Sequence, residues 1–135
     1  MAGPRSPMPF VYGTNLAEVR ALAEKHARMA GLPANRVSDF VIAVSEVVGN
    51  TVRHARSQGS LEIWLEDDEI VCEIRDAGVI ADSQVGRKPP PPDAGGGHGL
   101  WIVHQVCDRV DLHSDENGTV IRLHMSLPRH PESAG

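Results

Sequence analysis

At residue 60 the hydrophobic period of the chain drops from about 3.6 residues to two. Before that point, in "VIAVSEVVGNTVRHA" (41–55), Val41, Val44, Val48 and Val52 recur with Phe40 along one side of a helix, while Glu46, Asn50, Arg53 and His54 share the opposite side. After it, "SLEIWLEDDEIVCEIRD" alternates Leu61, Ile63 and Leu65, turns at 67–69, and resumes with Ile70, Cys72 and Ile74. That pattern predicts a strand hairpin with one apolar face. Such a hairpin needs a second layer to bury it, and the preceding amphipathic helix supplies one.

The remaining segments extend the same plan. "PFVYGTN" predicts a short strand, and Thr14 or Asn15 caps a helix running to about Ala30, where Gly31 followed by Pro33 stops it. A second helix starts at 33–35 and ends near Arg56. "HGLWIVHQVCDRV" returns to helical periodicity through Leu100, Val103, Val106 and Cys107; "VDLHS" and "GTVIRLHMSLP" form a second hairpin turning at 115–118. Between the hairpins lies "AGVIADSQVGRKPPPPDAGGG" (77–97), with four consecutive prolines and three consecutive glycines. A segment of this length inside a compact domain is a functional lid or disorder, and its place between two candidate binding elements favours the lid.

The order is therefore β, α, α, β, β, lid, α, β, β. Tight turns join most of the strands, so the expected class is α+β: a two-layer sandwich with a mostly antiparallel sheet and helices on one face, rather than a doubly wound parallel fold. The 135 residues suffice for one domain with a real core, expected over 9–127, between a flexible start at 1–8 and a disordered tail at 128–135.

A formal net charge of −5 with scattered basic residues argues against the broad positive surface of a non-specific nucleic-acid binder, so no direct DNA binding is expected. The apolar runs fall short of the roughly 20 residues that span a bilayer, and "MAGPRSPMPF" lacks the apolar core of a secretion signal. The expectation is a cytoplasmic protein without membrane contact. Cys72 and Cys107 sit in apolar patterns without CxxC spacing, as buried free thiols do. The seven histidines offer no HxH or HxxxH pair.

Four elements carry chemistry-bearing residues: the helix face of Glu46, Asn50 and Arg53; the strand end Asp76 with Gly78; Gly95 to Gly97 and Gly99 at a helix entry; and Gly118 with Thr119 at the start of a late strand. Each alone has a plainer reading, as a solvated helix face, a turn or a flexible loop. Their order and separation are more specific. "EVVGNTVRHA", "RDAG", "GGGHGLWIV" and "GTVIRL" resemble the N, G1, G2 and G3 boxes of the GHKL-type ATP-binding superfamily that includes gyrase and histidine kinases. Length and phrasing are most similar to the anti-sigma factor serine/threonine kinases, small cytoplasmic switch proteins of bacterial stress and sporulation control. The resemblance runs from about Val11 to Leu127 and implies the histidine-kinase-type ATPase (Bergerat) fold.

The resemblance implies roles that the chemistry of the residues supports. Asn50 offers a neutral oxygen to Mg²⁺, a hard cation that takes few protein ligands. Glu46, one turn earlier, accepts a proton from an attacking hydroxyl, which in the resembled kinases belongs to a serine of an antagonist protein. Arg53 approaches the triphosphate as a fixed charge, with a solvated surface arginine as the alternative, and His54 packs nearby. Asp76 accepts the exocyclic amino group of adenine, and Gly78 lets the chain pass close to the base. Gly97, His98, Gly99 and Leu100, at a helix entry, aim backbone N–H groups at phosphates. Thr119 matches the family's strand hydroxyl near the adenine.

The resemblance thus implies ATP and Mg²⁺ as cofactors, and a sigma factor, an antagonist protein and a second copy of the chain as partners. One departure stands out: Ile80 occupies the second glycine position of the DxGxG form of the G1 box, where a β-branched residue excludes positive φ and adds bulk. It motivates the alternative, a non-catalytic regulator that binds its partner with or without nucleotide. A detached histidine-kinase module is the poorer fit, because only one strand and one helix precede the N box.

Overall fold

The computed structural model describes residues 10–12, 15–55, 59–76 and 98–128, without the side chains of 10, 12, 51–55 and 98–100. The predicted lid at 77–97, the predicted flexible start at 1–8 and positions 129–135 of the predicted tail lie outside the described residues. The chain runs β1 (Phe10–Tyr12), α1 (Leu16–Ala30), α2 (Ala34–Ala55), β2 (Gly59–Glu66), β3 (Glu69–Asp76), α3 (His98–Val106), β4 (Arg109–Asp115) and β5 (Gly118–Ser126), in the expected order.

Local chemistry explains the helix ends. Val19, Ala23 and Ala27 recur every four residues and are buried along α1. Gly31 then adopts φ +92°, its N–H donates to the carbonyl of Arg28 at 3.1 Å, and the N–H of Leu32 donates to Ala27 at 3.2 Å. This pair of bonds closes the helix in a Schellman motif, and the positive φ is why a glycine stands there. The Pro33 carbonyl immediately accepts the N–H groups of Arg36 and Val37 at 2.9 Å, opening α2. At the front of α1 the expectation needs correction: Asn15 holds the cap position, yet its side chain makes no cap bond. Its Nδ2 donates instead to Glu18 Oε2 at 3.1 Å, a carboxylate that competes for the same amide.

The strands form one antiparallel sheet in the order β1-β2-β3-β5-β4. Register pairs Leu61 with Ile74 and Ile63 with Cys72 across β2 and β3, then Ile74 with Ile121 and Cys72 with Leu123 across β3 and β5. Residues directly opposed in antiparallel strands share a face, so these side chains build one apolar surface. Val37, Phe40, Ala43, Val44, Val47 and Val48 of α2, with Val19, Ala23 and Ala27 of α1 and Val103 of α3, complete that core. Full burial of Phe40 alone stabilises by about 2–3 kcal/mol. α2 is the central helix, packing on α1, α3, β3 and β5. The α+β sandwich with helices on the apolar face matches the expected class.

The opposite face of the sheet is polar but not simply solvated. Trp64, Val71, Glu73 and His124 are buried there, although the alternation had marked only the other face as core. Arg122 lies over the Trp64 ring at 5.6 Å and donates through Nε to Glu73 Oε1 at 2.8 Å, so its long stem roofs its neighbours. Leu65, at the end of the apolar alternation, is exposed because it lies at the margin of the core. Both cysteines are free and buried, as expected.

Candidate functional site

The face of α2 that carries the valines forces the polar residues to its flank. Glu46 and Asn50, one turn apart, are both half-buried and adjoin the fully buried Val47 and Val48. Among the described residues neither makes a side-chain hydrogen bond or ion pair, so water or a ligand completes both. The neighbouring Ser45 hydroxyl accepts from Arg20 Nε at 3.2 Å, tying α1 to the same stretch of α2. The backbone of α2 continues in helical form through Arg53 and His54, and α3 begins at His98, Gly99 and Leu100. Gly78, Ile80 and Gly97 lie outside the described residues.

The second half of the site is one end of the sheet. Asp76, the last residue of β3, is in register with Thr119, the second of β5. Both stand on the face that the helices cover, since they continue the Cys72–Ile74 and Ile121–Leu123 rows by period two. Asp76 is half-buried and Thr119 is only 2 % exposed. They also border a cavity of about 330 Å³ at the strand end, whose lining of Arg75, His113, Asp115 and Val120 opens it onto the opposite face of the sheet.

The turn that delivers Thr119 is built from its own sequence. Asp115 pairs with Gly118 across a two-residue loop, and its Oδ1 accepts the N–H of Asn117 at 2.8 Å. That bond and the neighbouring His113 hold the Asp115 carboxyl below the usual carboxylate range. Gly118 takes φ +131°, a conformation that side-chain-bearing residues rarely adopt, and this explains the glycine before Thr119.

One residue of this end escaped the sequence reading. Ser114, opposite Thr119 in β4, places its Oγ 2.8 Å from Thr119 Oγ1. The two-residue loop between 115 and 118 carried that signal, because loop length sets hairpin register. The buried polar cluster on the other face was also unforeseen. There His124 lies 3.0 Å from Asp111, 3.3 Å from Glu69 and 3.1 Å from Arg109, while Glu73 is held by Arg122 and Arg75.

The arrangement offers two separate chemistries. α2 presents a carboxylate and a carboxamide oxygen one turn apart, suited to proton acceptance and to a hard cation. The sheet end presents a carboxylate beside a hydroxyl, suited to a hydrogen-bonding heterocycle. α2 packs on β3 and β5, the two strands that carry Asp76 and Thr119.

Comparison with known proteins identifies the family of the domain. The sequence profile of the histidine kinase-like ATPase domain matches residues 13–125. The chain is 30% identical over 109 residues to a protein of Listeria monocytogenes named serine-protein kinase RsbW, covering 70% of this chain and 69% of the relative. It is 28% identical over 123 residues to the RsbW of Halalkalibacterium halodurans, covering 82% and 75%, and 29% identical over 119 residues to that of Bacillus cereus, covering 78% and 74%. Among the described residues no helix is long and apolar enough to cross a membrane. With its antiparallel sheet, its α2 pair Glu46 and Asn50 and its strand-end pair Asp76 and Thr119, the chain belongs to the histidine kinase-like ATPase domain family.

Proposed function

We propose that this protein is an ATP-dependent anti-sigma factor that holds a sigma factor and phosphorylates a serine or threonine of an antagonist protein. The observation that carries the reading is the pairing of Glu46 and Asn50 on one flank of α2, half-buried and without a side-chain partner among the described residues. The relatives named serine-protein kinase support it.

The donor set fits the ligands that this function needs. The Asn50 carboxamide oxygen is a hard neutral donor of the kind Mg²⁺ accepts, and Asp76 beside Thr119 complements an adenine edge. Bound MgATP supplies the phosphoryl group and the positive charge that offsets its oxygens. Glu46 takes the proton of the incoming hydroxyl, a contribution of about 10²- to 10⁴-fold in rate. Asp76 orients the base, since its carboxylate accepts from an amino group and repels the carbonyl that guanine carries there. Arg53 and the α3 entry at His98, Gly99 and Leu100 serve the phosphates, together with Gly97; Gly78 serves the base. The protein works in the cytoplasm as a homodimer, where it meets both protein partners.

Thermal unfolding with millimolar ATP and Mg²⁺ tests the nucleotide half, because a ligand at 100 times its Kd adds about 2.7 kcal/mol of stability. A shift that requires Mg²⁺ and vanishes in Asp76→Ala supports the reading. No shift in the wild type overturns it.

A further inference from the structure

β4 closes the sheet, and among the described residues no strand lies beyond it. Arg109, Asp111, His113 and Asp115 alternate along β4 on the face away from the helices, with side chains 46–75 % exposed. Val110 and Leu112 point the other way and are half-covered at the margin of the core. Charges of one sign along an edge keep a second strand away. Here the order is guanidinium, carboxylate, imidazole, carboxylate, with Arg109 Nε 3.3 Å from Asp111 Oδ2 and His113 Nε2 3.1 Å from Asp115 Oδ2. Asp115 and Gly118 close a two-residue hairpin, so Asp115, and by alternation His113 and Asp111, direct their backbone N–H and C=O groups to β5. Leu112, between His113 and Asp111, directs its own to the open edge.

We propose that β4 is the surface on which a second copy of this chain docks, by antiparallel pairing of the two β4 strands centred on Leu112, which joins two five-stranded sheets into one. The proposal deepens the homodimer reading and rests on it. A two-fold axis makes the strand meet its own sequence reversed. With Leu112 opposite its counterpart, Arg109 faces the partner's Asp115 and Asp111 faces the partner's His113, and each pair occurs twice. The outward N–H and C=O of Leu112 exchange two hydrogen bonds with those of its counterpart, and the half-covered Val110 and Leu112 side chains gain cover. A slip of two residues sets Asp111 against the partner's Asp111 or against the partner's Asp115. A slip of one turns the charged face of one copy to the helix side of the other. The centred register alone keeps the full strand and opposes all four charged positions with complementary groups.

Sedimentation equilibrium of the full chain over a concentration series tests this, comparing the wild type with Arg109→Glu, Asp115→Lys and the double exchange. The wild type should show a monomer–dimer equilibrium that weakens with added salt, because the charged pairs are exposed. Each single reversal opposes like charges twice and should raise the dimer dissociation constant about tenfold, and the double exchange should return it to within about threefold of the wild type. Asp115 also accepts the N–H of Asn117. Where Asp115→Lys therefore does not fold, Asp111→His, His113→Asp and their combination give the same comparison. Hydrogen exchange at the Leu112 amide is the second readout and should slow as protein concentration rises. A dimer indifferent to every exchange overturns the inference and leaves the homodimer reading to another surface. Weakening by the single reversals without rescue by the double also overturns it, because local distortion of the strand does the same. A Leu112 amide protected equally at every concentration means that a segment of the same chain covers the edge, and overturns the inference too. A wild type that stays monomeric throughout overturns the homodimer reading and the inference with it.

Discussion

Arg36 Nη1 donates to the backbone carbonyl of Val106 at 3.0 Å, joining the first turn of α2 to the last residue of α3 across 70 positions of sequence. The same guanidinium reaches Asp39 at 3.0 Å and Asp108 at 3.3 Å, and Asp108 in turn accepts the N–H of Ser126 at the end of β5. A helix leaves its last carbonyls without intrahelical donors, and a cation there satisfies one and opposes the negative end of the dipole. The contact thus fixes α3 against α2 at the end remote from the glycine-rich entry.

Removing that clamp should loosen α3 without touching the candidate ligand groups. Arg36→Ala is expected to cost about 1–2 kcal/mol, lowering Tm by roughly 4–8 °C. Arg36→Lys should recover less than half, because a single ammonium cannot serve Val106, Asp39 and Asp108 in the fork geometry of arginine. Full recovery by lysine in thermal or urea unfolding would reduce Arg36 to a point charge.

Glu73 makes the sheet's outer face sensitive to acid. Burial of its side chain, 2 % exposed, works to raise the carboxyl, but the hydrogen bonds and charges of Arg122 and Arg75 outweigh it and hold the pKa below the ordinary value. A carboxyl depressed in the folded state binds its proton more readily when unfolded. Its stabilisation is therefore present above about pH 5 and is lost as pH falls through the folded value. Glu73→Gln should lose about 1–3 kcal/mol at pH 7 and show a shallower fall in stability between pH 5 and 3 than the wild type. Parallel pH profiles for the two proteins would exclude Glu73 as the acid-sensitive group.

Those two contacts mark the boundary between what local sequence reveals and what it conceals. The Gly31 stop, the turn at Asp67, which tolerates φ +53°, and the glycine before Thr119 are decided by neighbours in sequence, and each lay in the expected place. So was the division of α2 into a core face with Phe40, Val44 and Val48 and a flank with Glu46 and Asn50. Val47 joined the core unnoticed because α2 is covered on two sides, by α1 and by α3. Glu73 is different: its burial depends on Arg122, 49 positions away, and no periodicity within β3 announces that partner. Ser114 stands between the cases, since its register with Thr119 follows from a two-residue loop but its hydroxyl contact needs the strands in place.

The two thiols are expected to be inert in the folded protein. Burial is the main cause that pushes Cys107 up to about 12, and it raises the fully buried Cys72 further. The thiolate is the reactive form, so at pH 8 both should react with an aromatic disulfide reagent at least a hundredfold more slowly than an exposed cysteine. Two equivalents should react promptly in denaturant. Rapid labelling of either thiol in the native protein would mean that the core opens around α3 or β3.

On the proposed roles, a proton acceptor for Glu46 and a cation ligand for Asn50, the two residues should separate transfer from binding. Glu46→Gln keeps shape and hydrogen bonding while removing the carboxylate. Phosphoryl transfer to the antagonist protein should fall by about 10²- to 10⁴-fold, with the thermal stabilisation by MgATP unchanged. Asn50→Ala should instead abolish the Mg²⁺-dependent part of that stabilisation, leaving only the small shift that ATP gives in chelator. If Glu46→Gln loses nucleotide binding as Asn50→Ala does, the two residues act as one ligand-holding unit and the proton acceptor lies elsewhere. If neither variant changes transfer, the catalytic role of this flank of α2 fails, and Asp76 with Thr119 remains as a binding site alone.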